Sequence, residues 1–535
     1  MRFTSFLISA LFILHVQAQN MTDGLLALDC EKYEQARNIF TQITEKEPTN
    51  GLAYYYLGQA YIQLLKPDMA KESFQKGIAA EPNNPANYAG AGQMLLEEGK
   101  VAEAKQQFEK ALSFSRTKDG RYKDVNAIRF VADAMIATEN NKLTDDAVTL
   151  IEAGLEVAKK TYDFYITAGD VYIEKNDGGK SATNYEKAAA LEKNNPKALV
   201  RVAYIWLKVR NAEATLNELK KVGELDSNYA PGLKAFSEYY YLTRQFEKAK
   251  VAYTRYLENS ERSTANQSRF VRILFRTKDY KSTLALINEL LASDKSDVYL
   301  YRMGGYSCYE IGNELKDTNY YRQGLNMMTE FMKRIEQNKI LSNDYEYLGK
   351  LYSRLPGNDS LATYYIEKAL ETDPNKTDLY KEAAVIYQKM KKFEKAIACM
   401  EIYIGNASKV TAADYYLLGI NAYFNARYTK SDSAFTRVSE IRPDFADAYY
   451  WRGNCNAAMD PEYKDTLARF NYERYTSLAE SQPEKNRKNL IVSYEFLGSY
   501  AIQKDDTKTA KLYFTKIVAL DPQNTRAKDI LKQLK

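Results

Sequence analysis

The sequence predicts an all-α protein, a solenoid made of stacked helix–turn–helix units. The main observation is a pattern of small and large apolar residues that returns every 34 residues. One copy consists of Leu57, Gly58, Tyr61, Ala70, Phe74 and Pro82. The next consists of Ala91, Gly92, Leu95, Ala104, Phe108 and Ala111, and the preceding one of Gly24, Ala36, Phe40 and Pro48. Because one such unit cannot bury its apolar face alone, the units must stack.

Each position of the repeat has a physical reason. Positions are counted from the first residue of a unit, so that Gly58 is position 8 of the unit that begins at Gly51. Small residues at positions 8, 20 and 27 let the two helices of a unit approach closely. Large residues at positions 4, 11 and 24 fill the space between units. Proline at position 32 ends the second helix. The pattern is clearest in units that begin at Gly51, Ala230, Thr377 and Ile491. Fitting the rest in register predicts about fourteen units.

These residues resemble the tetratricopeptide repeat (TPR) family, whose pattern fits almost all of the chain after its first residues. The resemblance implies two antiparallel helices per repeat, stacked into a right-handed superhelix. It also implies that positions 2, 5, 9, 12 and 13 of each first helix face a concave groove, where family members usually bind peptides.

The N-terminal residues predict a cleaved export signal. Arg2 precedes an apolar stretch, residues 6–16, and Val16 and Ala18 offer the small side chains that signal peptidase reads. A lipoprotein anchor, the rival interpretation, is not expected because the first cysteine, Cys30, lies inside the first repeat. We therefore expect a signal peptide at residues 1–18, repeats 1–3 at 19–118, repeats 4–14 at 119–524 and a cap helix at 525–535. No later segment approaches the ~20 apolar residues of a membrane span.

The repeat pattern is interrupted at a few places. A basic segment, residues 116–123, breaks the period after the third repeat. In the ninth repeat, residues 312–320 are expected to lengthen the turn between the helices, which gives irregular turns near 311–319. Such departures mark either bends and contact loops or turns that tolerate insertion.

The composition excludes most catalytic and metal-binding chemistry. The single histidine, His15, lies in the expected signal peptide, so the exported chain has no base for Ser-His-Asp or Cys-His catalysis. No CxxC pair and no phosphate-binding glycine loop is present. A net charge of +5 is too balanced for a nucleic-acid binder. We expect no enzyme activity, cofactor or metal.

The four cysteines are widely spaced along the chain. The sequence favours buried free thiols at Cys30, Cys308, Cys399 and Cys455. A Cys399–Cys455 disulfide is the alternative, although these residues lie two repeats apart.

The candidate binding residues are the basic and aromatic side chains at the groove positions. The chain has 45 tyrosines, and many of them fall at packing positions. The remaining groove residues form two groups, repeats 7–9 and then repeats 12–13: Lys234, Tyr241, Arg272, Phe275, Arg276, Tyr299, Arg302, Tyr306 and Tyr309, followed by Tyr416, Tyr423, Phe424 and Tyr450. Such a surface suits an acidic or aromatic peptide and equally suits sugar rings. Alternatively, the tyrosines only cover the groove floor.

The predicted function is that of an exported, periplasmic scaffold that binds a protein or peptide on its concave face. By resemblance to exported TPR proteins of Gram-negative bacteria, we expect a role in envelope assembly or secretion, in association with an outer-membrane complex. Asp359-Ser360-Leu361 is similar to an acceptor for Bacteroidetes O-glycosylation, which agrees with export. The alternative is a glycan- or nutrient-binding protein that uses an aromatic groove.

Overall fold

The computed structural model describes residues 20–139, 142–158 and 160–534. Within these ranges it contains 29 α-helices, one short 3-10 turn at Gln337–Lys339 and no strand. Consecutive helices pack against each other in pairs along these ranges, which confirms the predicted all-α solenoid of paired helices. The expected signal peptide, residues 1–18, lies outside the described residues.

The chain divides into two compact units, Met1–Leu290 and Leu291–Lys535. The helices of the first unit are α1 (Met21–Asp29), α2 (Tyr33–Lys46), α3 (Gly51–Gln63), α4 (Pro67–Ala80), α5 (Pro85–Glu97), α6 (Val101–Ser113), α7 (Asn126–Ile136), α8 (Thr144–Val157), α9 (Tyr162–Glu174), α10 (Gly178–Leu191), α11 (Pro196–Lys208), α12 (Ala212–Leu225), α13 (Ala230–Leu242), α14 (Phe246–Asn259), α15 (Thr264–Arg276) and α16 (Tyr280–Ser293), the last of which contains the boundary.

The second unit contains six hairpins and a final single helix. Its helices are α17 (Val298–Leu315), α18 (Thr318–Arg334), α19 (Ser342–Ser353), α20 (Asp359–Thr372), α21 (Thr377–Lys389), α22 (Phe393–Asn406), α23 (Ala412–Phe424), α24 (Tyr428–Ile441), α25 (Ala446–Met459), α26 (Leu467–Ala479), α27 (Arg487–Gln503), α28 (Thr507–Leu520) and α29 (Thr525–Gln533).

Several hairpins are held together by an aromatic side chain that lies against a glycine, among them the pairs Gly24 and Phe40, Gly58 and Phe74, and Gly419 and Phe435. Phe74 of α4 is completely buried between Gly58 of its own repeat and Gly90 of the next. A methyl group added at either glycine would overlap the Phe74 ring, so only glycine lets the helices approach this closely. The small residue at position 8 and the aromatic at position 24 therefore form one packing unit.

The turns inside the hairpins are short and use one residue in the left-handed backbone region. Leu65, with φ of 57°, follows the end of α3, and the Lys66 amide then donates to the Tyr61 carbonyl at 2.9 Å. Gly99, with φ of 76°, has the same role after α5. This is the usual way to satisfy the last carbonyls of a helix.

The expected long turn at residues 312–320 is not present, so this prediction was wrong. Helix α17 continues to Leu315, and only Lys316 and Asp317 separate it from α18. Gly312 lies inside the helix, where the ring of Tyr321 packs against it. The additional residues of the ninth repeat lengthen its two helices instead of their turn.

The basic segment after the third repeat forms a small looped hairpin. Arg116 and Tyr122 make an isolated antiparallel bridge, and the Thr117 amide donates to the Arg121 carbonyl at 2.7 Å. Gly120, with φ of 82°, allows the chain to reverse at the tip.

Helix α29 covers the end of the last repeat. Ala527 is buried there, and Ile530, Leu531 and Leu534 are partly buried against the cluster that contains Phe514. None of the helices in the described ranges has the length and apolar character needed to span a membrane.

Candidate functional site

The candidate residues divide between the two compact units, so each group is described within its own unit. Within each unit, we call the surface formed by positions 2, 5, 9, 12 and 13 of the first helices the inner face of that unit. Lys234, Tyr241, Arg272, Phe275 and Arg276 belong to the first unit, and Tyr299, Arg302, Tyr306, Tyr309, Tyr416 and Tyr450 belong to the second.

Lys234 on α13 is paired with a carboxylate of the same chain. Its Nζ lies 2.7 Å from Glu31, which stands in the turn between α1 and α2. The two residues are 203 positions apart, so the first repeat reaches the inner face of the seventh. A peptide ligand of Lys234 would have to replace Glu31.

Glu31 receives two further hydrogen bonds at this place. The hydroxyl of Tyr256 and the side-chain amide of Asn266 both donate to its carboxylate, the latter at 3.2 Å. Burial by itself would raise the pKa of Glu31, but the bonds from Lys234, Tyr256 and Asn266 hold it below its ordinary value. Glu31 is therefore ionised at neutral pH, and its carboxylate accepts hydrogen bonds from all three of these side chains.

Asp29 anchors the other side of the same turn. It accepts a hydrogen bond from the Tyr229 hydroxyl and lies 3.1 Å from the Nζ of Lys197. Between the two acids, Cys30 packs against the apolar side chains of repeats 6 and 7. The turn thus places two carboxylates and one thiol on the inner face.

Glu261, in the loop after α14, completes the contact. Its amide donates to the Glu31 carbonyl at 3.2 Å, and its carboxylate accepts the Glu34 amide at 2.9 Å. Because Glu34 lies in the first turn of α2, the Glu261 carboxylate satisfies one of the free amides of that helix.

Arg272 and Arg276 form the open part of the predicted site in this unit. Both are exposed, four residues apart on α15, and neither pairs with a carboxylate among the described residues. The Nε of Arg276 lies 3.4 Å from the Tyr241 hydroxyl. Phe275 is half-buried beside them and meets Tyr280 edge-on. We call Tyr241, Arg272, Phe275 and Arg276 the arginine edge.

In the second unit, Arg302 binds a fully buried carboxylate. Its guanidinium donates to Asp344 at 2.8 Å, and the Tyr306 hydroxyl donates to the other oxygen of Asp344 at 2.6 Å. The side chain of Asp344 is 0% exposed and that of Arg302 only 14%. Arg302 and Tyr306 of the ninth repeat therefore bind Asp344 of the tenth and connect the two repeats.

The tyrosines of the ninth repeat differ in their exposure. Tyr306 stacks on Tyr347 with 3.9 Å between ring centroids, and Tyr309 meets Tyr347 edge-on at 5.6 Å. Both Tyr306 and Tyr309 are buried. Tyr299 is exposed, with the Arg302 guanidinium 5.3 Å from its ring centroid.

Tyr416 and Tyr450 belong to an aromatic cluster around Trp451. The indole nitrogen of Trp451 donates to the Tyr416 hydroxyl at 3.0 Å, and the Tyr450 ring meets the indole edge-on. The open member of this cluster is Phe424, which is 55% exposed and stacks on Phe393. Tyr416 and Tyr450 are both half-buried.

The inner face also carries acidic residues, which the pattern of basic and aromatic groove residues does not predict. Position 9 of repeats 4, 5 and 7 carries Asp133, Asp170 and Glu238. Arg201 lies 3.4 Å from Asp170, and Arg269 lies 2.6 Å from Glu238. The repeat register could have identified this row, since one position holds a carboxylate three times.

Asp133 is the most perturbed of these acids. Burial raises its pKa to about 7, Arg129 acts against the shift and Asp170 adds to it. Arg129, the cation that lowers this pKa most, is already engaged, because it pairs with Asp163 at 2.7 Å.

The cysteines are free thiols, so the Cys399–Cys455 disulfide is not formed. Burial raises the pKa of Cys308 to about 12 and that of Cys399 and Cys455 to about 11. Thiols of this kind are weak nucleophiles at neutral pH. Across the described ranges, no three Cys, His, Asp or Glu side chains are grouped so that they could hold a metal ion.

Two family models match parts of the chain. A model described as tetratricopeptide repeat matches residues 27–95, and a second with the same description matches residues 86–118 and 491–524. These spans fall on the hairpins from α2 to α6 and on α27 and α28. No curated protein matches the chain.

Several solved structures are similar to the chain. The C-terminal part of a TPR repeat-containing protein from Cytophaga hutchinsonii is 29% identical, with 49% of this chain and 98% of that chain covered and a TM-score of 0.39. The MamA protein is 21% identical, with coverage of 35% and 94% and a TM-score of 0.29. Naa15/Naa10 bound to HypK-THB is 12% identical, with coverage of 96% and 95% and a TM-score of 0.26.

Proposed function

We propose that this chain, which belongs to the tetratricopeptide repeat superfamily, binds an acidic polypeptide segment at its arginine edge. Tetratricopeptide repeats are protein-interaction scaffolds, and such scaffolds are typically non-catalytic. The observation that carries the finer proposal is the exposure of Arg272 and Arg276, which have no carboxylate partner among the described residues.

The chemistry of the arginine edge suits carboxylates. Residues four apart on a helix have neighbouring side chains, so Arg272 and Arg276 can grip two acidic groups of one segment. A guanidinium binds a carboxylate through two parallel hydrogen bonds. Phe275 and Tyr241 add apolar contact area beside the charges, which is typical of interface anchors.

We further propose that the protein works outside the cytoplasm, in the periplasm, as a scaffold in envelope assembly or secretion near an outer-membrane complex. The export-signal pattern of residues 1–18 supports this location.

The test is a charge reversal of the arginine edge in the full chain. Crosslinking in the native envelope, followed by mass spectrometry, identifies the partner of the wild type. We expect the Arg272→Glu/Arg276→Glu variant to lose that partner and keep its helicity. Arg262→Glu/Lys278→Glu is the matched control, because these two exposed cations lie off the inner face. Equal partner recovery with both variants would refute the proposal.

A second candidate function is glycan binding, which is favoured by one observation. Phe424 is 55% exposed and stacks on Phe393, and an open aromatic face of this kind can also stack on a sugar ring. A glycan array should then show binding that Phe424→Ala removes and the arginine-edge reversal does not change. An array without any bound oligosaccharide would exclude this function.

A further inference from the structure

The turn at residues 29–31 lies on the inner face in the way a bound peptide would. In a solenoid each repeat normally contacts only its neighbours, yet the first repeat here contacts the sixth, seventh and eighth. Two acidic side chains of this turn make polar contacts there. Lys234, Tyr256 and Asn266 bind Glu31, whereas Tyr229 and Lys197 bind Asp29.

We propose that the inner face of repeats 6–8 is a binding site for an acidic Asp-x-Glu segment, and that the turn at residues 29–31 occupies it as an intramolecular latch. An acidic segment of a partner protein binds this site by replacing the latch. The proposal does not rest on the arginine edge, because the two surfaces use different residues.

The site supplies donors for two carboxylates on either side of the apolar contact that Cys30 makes. Five donor side chains converge on two acidic groups that have one residue between them. The donors come from α11, α13, α14, α15 and the residue before α13. An acidic side chain that left this place would leave the Tyr229 and Tyr256 hydroxyls and the Lys234 ammonium without their acceptor. A segment with the same two carboxylates can satisfy the same donors.

The latch is suited to release. The side chains of Asp29, Glu31 and Lys234 are each 21% exposed, so water and a competing ligand can reach them. Helix α1 has only nine residues, and its Leu26 is 55% exposed. An intramolecular ligand acts at an effective concentration of about millimolar, so a partner segment has to bind the site more tightly than the turn itself does in order to replace it.

Cys30 provides a direct readout of latch opening. It lies between the two acids, and burial raises the pKa of its thiol. In the full-length Asp29→Asn/Glu31→Gln variant, we expect iodoacetamide to alkylate Cys30 at least ~10-fold faster than in the wild type. Cys308, fully buried in the other compact unit, is the internal control and should keep its slow rate. Both rates are measured by peptide mass spectrometry.

Lys234→Met is a second variant that opens the latch from the other side. It leaves Asp29 and Glu31 in place and should also accelerate the alkylation of Cys30. If neither variant changes the rate while both keep the wild-type helicity, the latch does not exist. The same holds if only Cys308 responds.

The ligand chemistry is tested with a fluorescent peptide of residues 24–36 that carries Cys30→Ser. We expect it to bind the Asp29→Asn/Glu31→Gln chain at least ~10-fold more tightly than the wild type, in which the site is filled. Adding Lys234→Met should abolish binding, whereas adding Arg272→Glu/Arg276→Glu should leave it unchanged. A peptide with Asn and Gln in place of its two acids is the control. Equal binding of both peptides, or equal binding to the wild type and the open chain, would overturn the proposal.

Discussion

Lys234 and Glu31 form an ion pair of 2.7 Å between the seventh repeat and the turn of the first. Both side chains are only 21% exposed, and Glu31 is also hydrogen-bonded by Tyr256 and Asn266. Lys234 occupies a repeat position at which a ligand contact is expected. It is, however, already bound to a carboxylate of the chain itself. This contact connects the turn between α1 and α2 to the seventh repeat within the first compact unit.

The first prediction is that Lys234 and Glu31 are energetically coupled. Removing either partner leaves a half-buried charge or its donors unsatisfied, so the single variants Lys234→Ala and Glu31→Ala should each destabilise α1 and α2. The double variant should cost less than the sum, with a coupling energy of ~1–3 kcal/mol. Amide hydrogen exchange in α2 measures the local stability.

Lys208→Ala is the control for this cycle. Lys208 is exposed at the end of α11, so its combination with Glu31→Ala should be additive. Additivity for Lys234 as well would show that the pair contributes nothing to the position of α1 and α2.

The second prediction concerns Arg302 and its buried partner. Arg302→Ala leaves the Asp344 carboxylate, which is 0% exposed, without its cation, so the second unit should lose ~3–5 kcal/mol of stability. Arg272→Ala, a change of the same residue type on an exposed surface, should stay within about 0.5 kcal/mol. Urea unfolding followed by circular dichroism compares the two, and an equal effect of both changes would contradict the assigned role of Arg302.

The repeat pattern predicted the hairpins well, because it reflects contacts within one repeat or between neighbours. Gly58 and Phe74 are 16 positions apart, and their contact recurs wherever the pattern recurs. The partners of Lys234 and Arg302 could not be found in this way. Glu31 is 203 residues from Lys234, and Asp344 becomes a partner only through the exact stacking of two irregular repeats.

Gly312 shows a second limit of the sequence pattern. Glycine is required both where a turn needs a left-handed residue and where a helix must approach a bulky side chain. At residue 312 the sequence pattern predicts a turn, whereas the structure has a helix there that packs against Tyr321. Only the positions of neighbouring helices distinguish the two uses.

The third prediction is a pH dependence caused by Asp133. Burial raises its pKa from 3.8 to about 7, with Arg129 and Lys197 acting against the shift and Asp170 adding to it. A carboxyl group with a raised pKa destabilises the folded state only when it is ionised. The free energy of unfolding is therefore not reduced by this group below about pH 4, and it decreases as the pH rises towards 7. Asp133→Asn should remove this loss and make the first unit more stable than the wild type at pH 8, by at most ~4 kcal/mol.

At pH 4 the Asp133→Asn variant and the wild type should unfold at nearly the same urea concentration, because the carboxyl group is then neutral. Glu103→Gln, on the exposed surface of α6, is the control and should give the same difference at both pH values. A stability gain of Asp133→Asn that is independent of pH would contradict the raised pKa.

The last prediction concerns the turns inside the hairpins. Leu65 has φ of 57° and is 88% exposed, so its side chain gains nothing from packing and its backbone occupies a region that costs an L-residue about 1–2 kcal/mol. Glycine adopts this conformation freely but loses about 0.5–1 kcal/mol of conformational entropy on folding. Leu65→Gly should therefore stabilise the second repeat by ~0.5–1 kcal/mol.

Gly99, with φ of 76° and open space around its α-carbon, provides the reverse experiment, and Gly99→Ala should destabilise the third repeat by a similar amount. Hydrogen exchange of α3 to α6 measures both changes, and a loss of protection in Leu65→Gly would show that the leucine side chain, and not the backbone conformation, decides the stability of this turn.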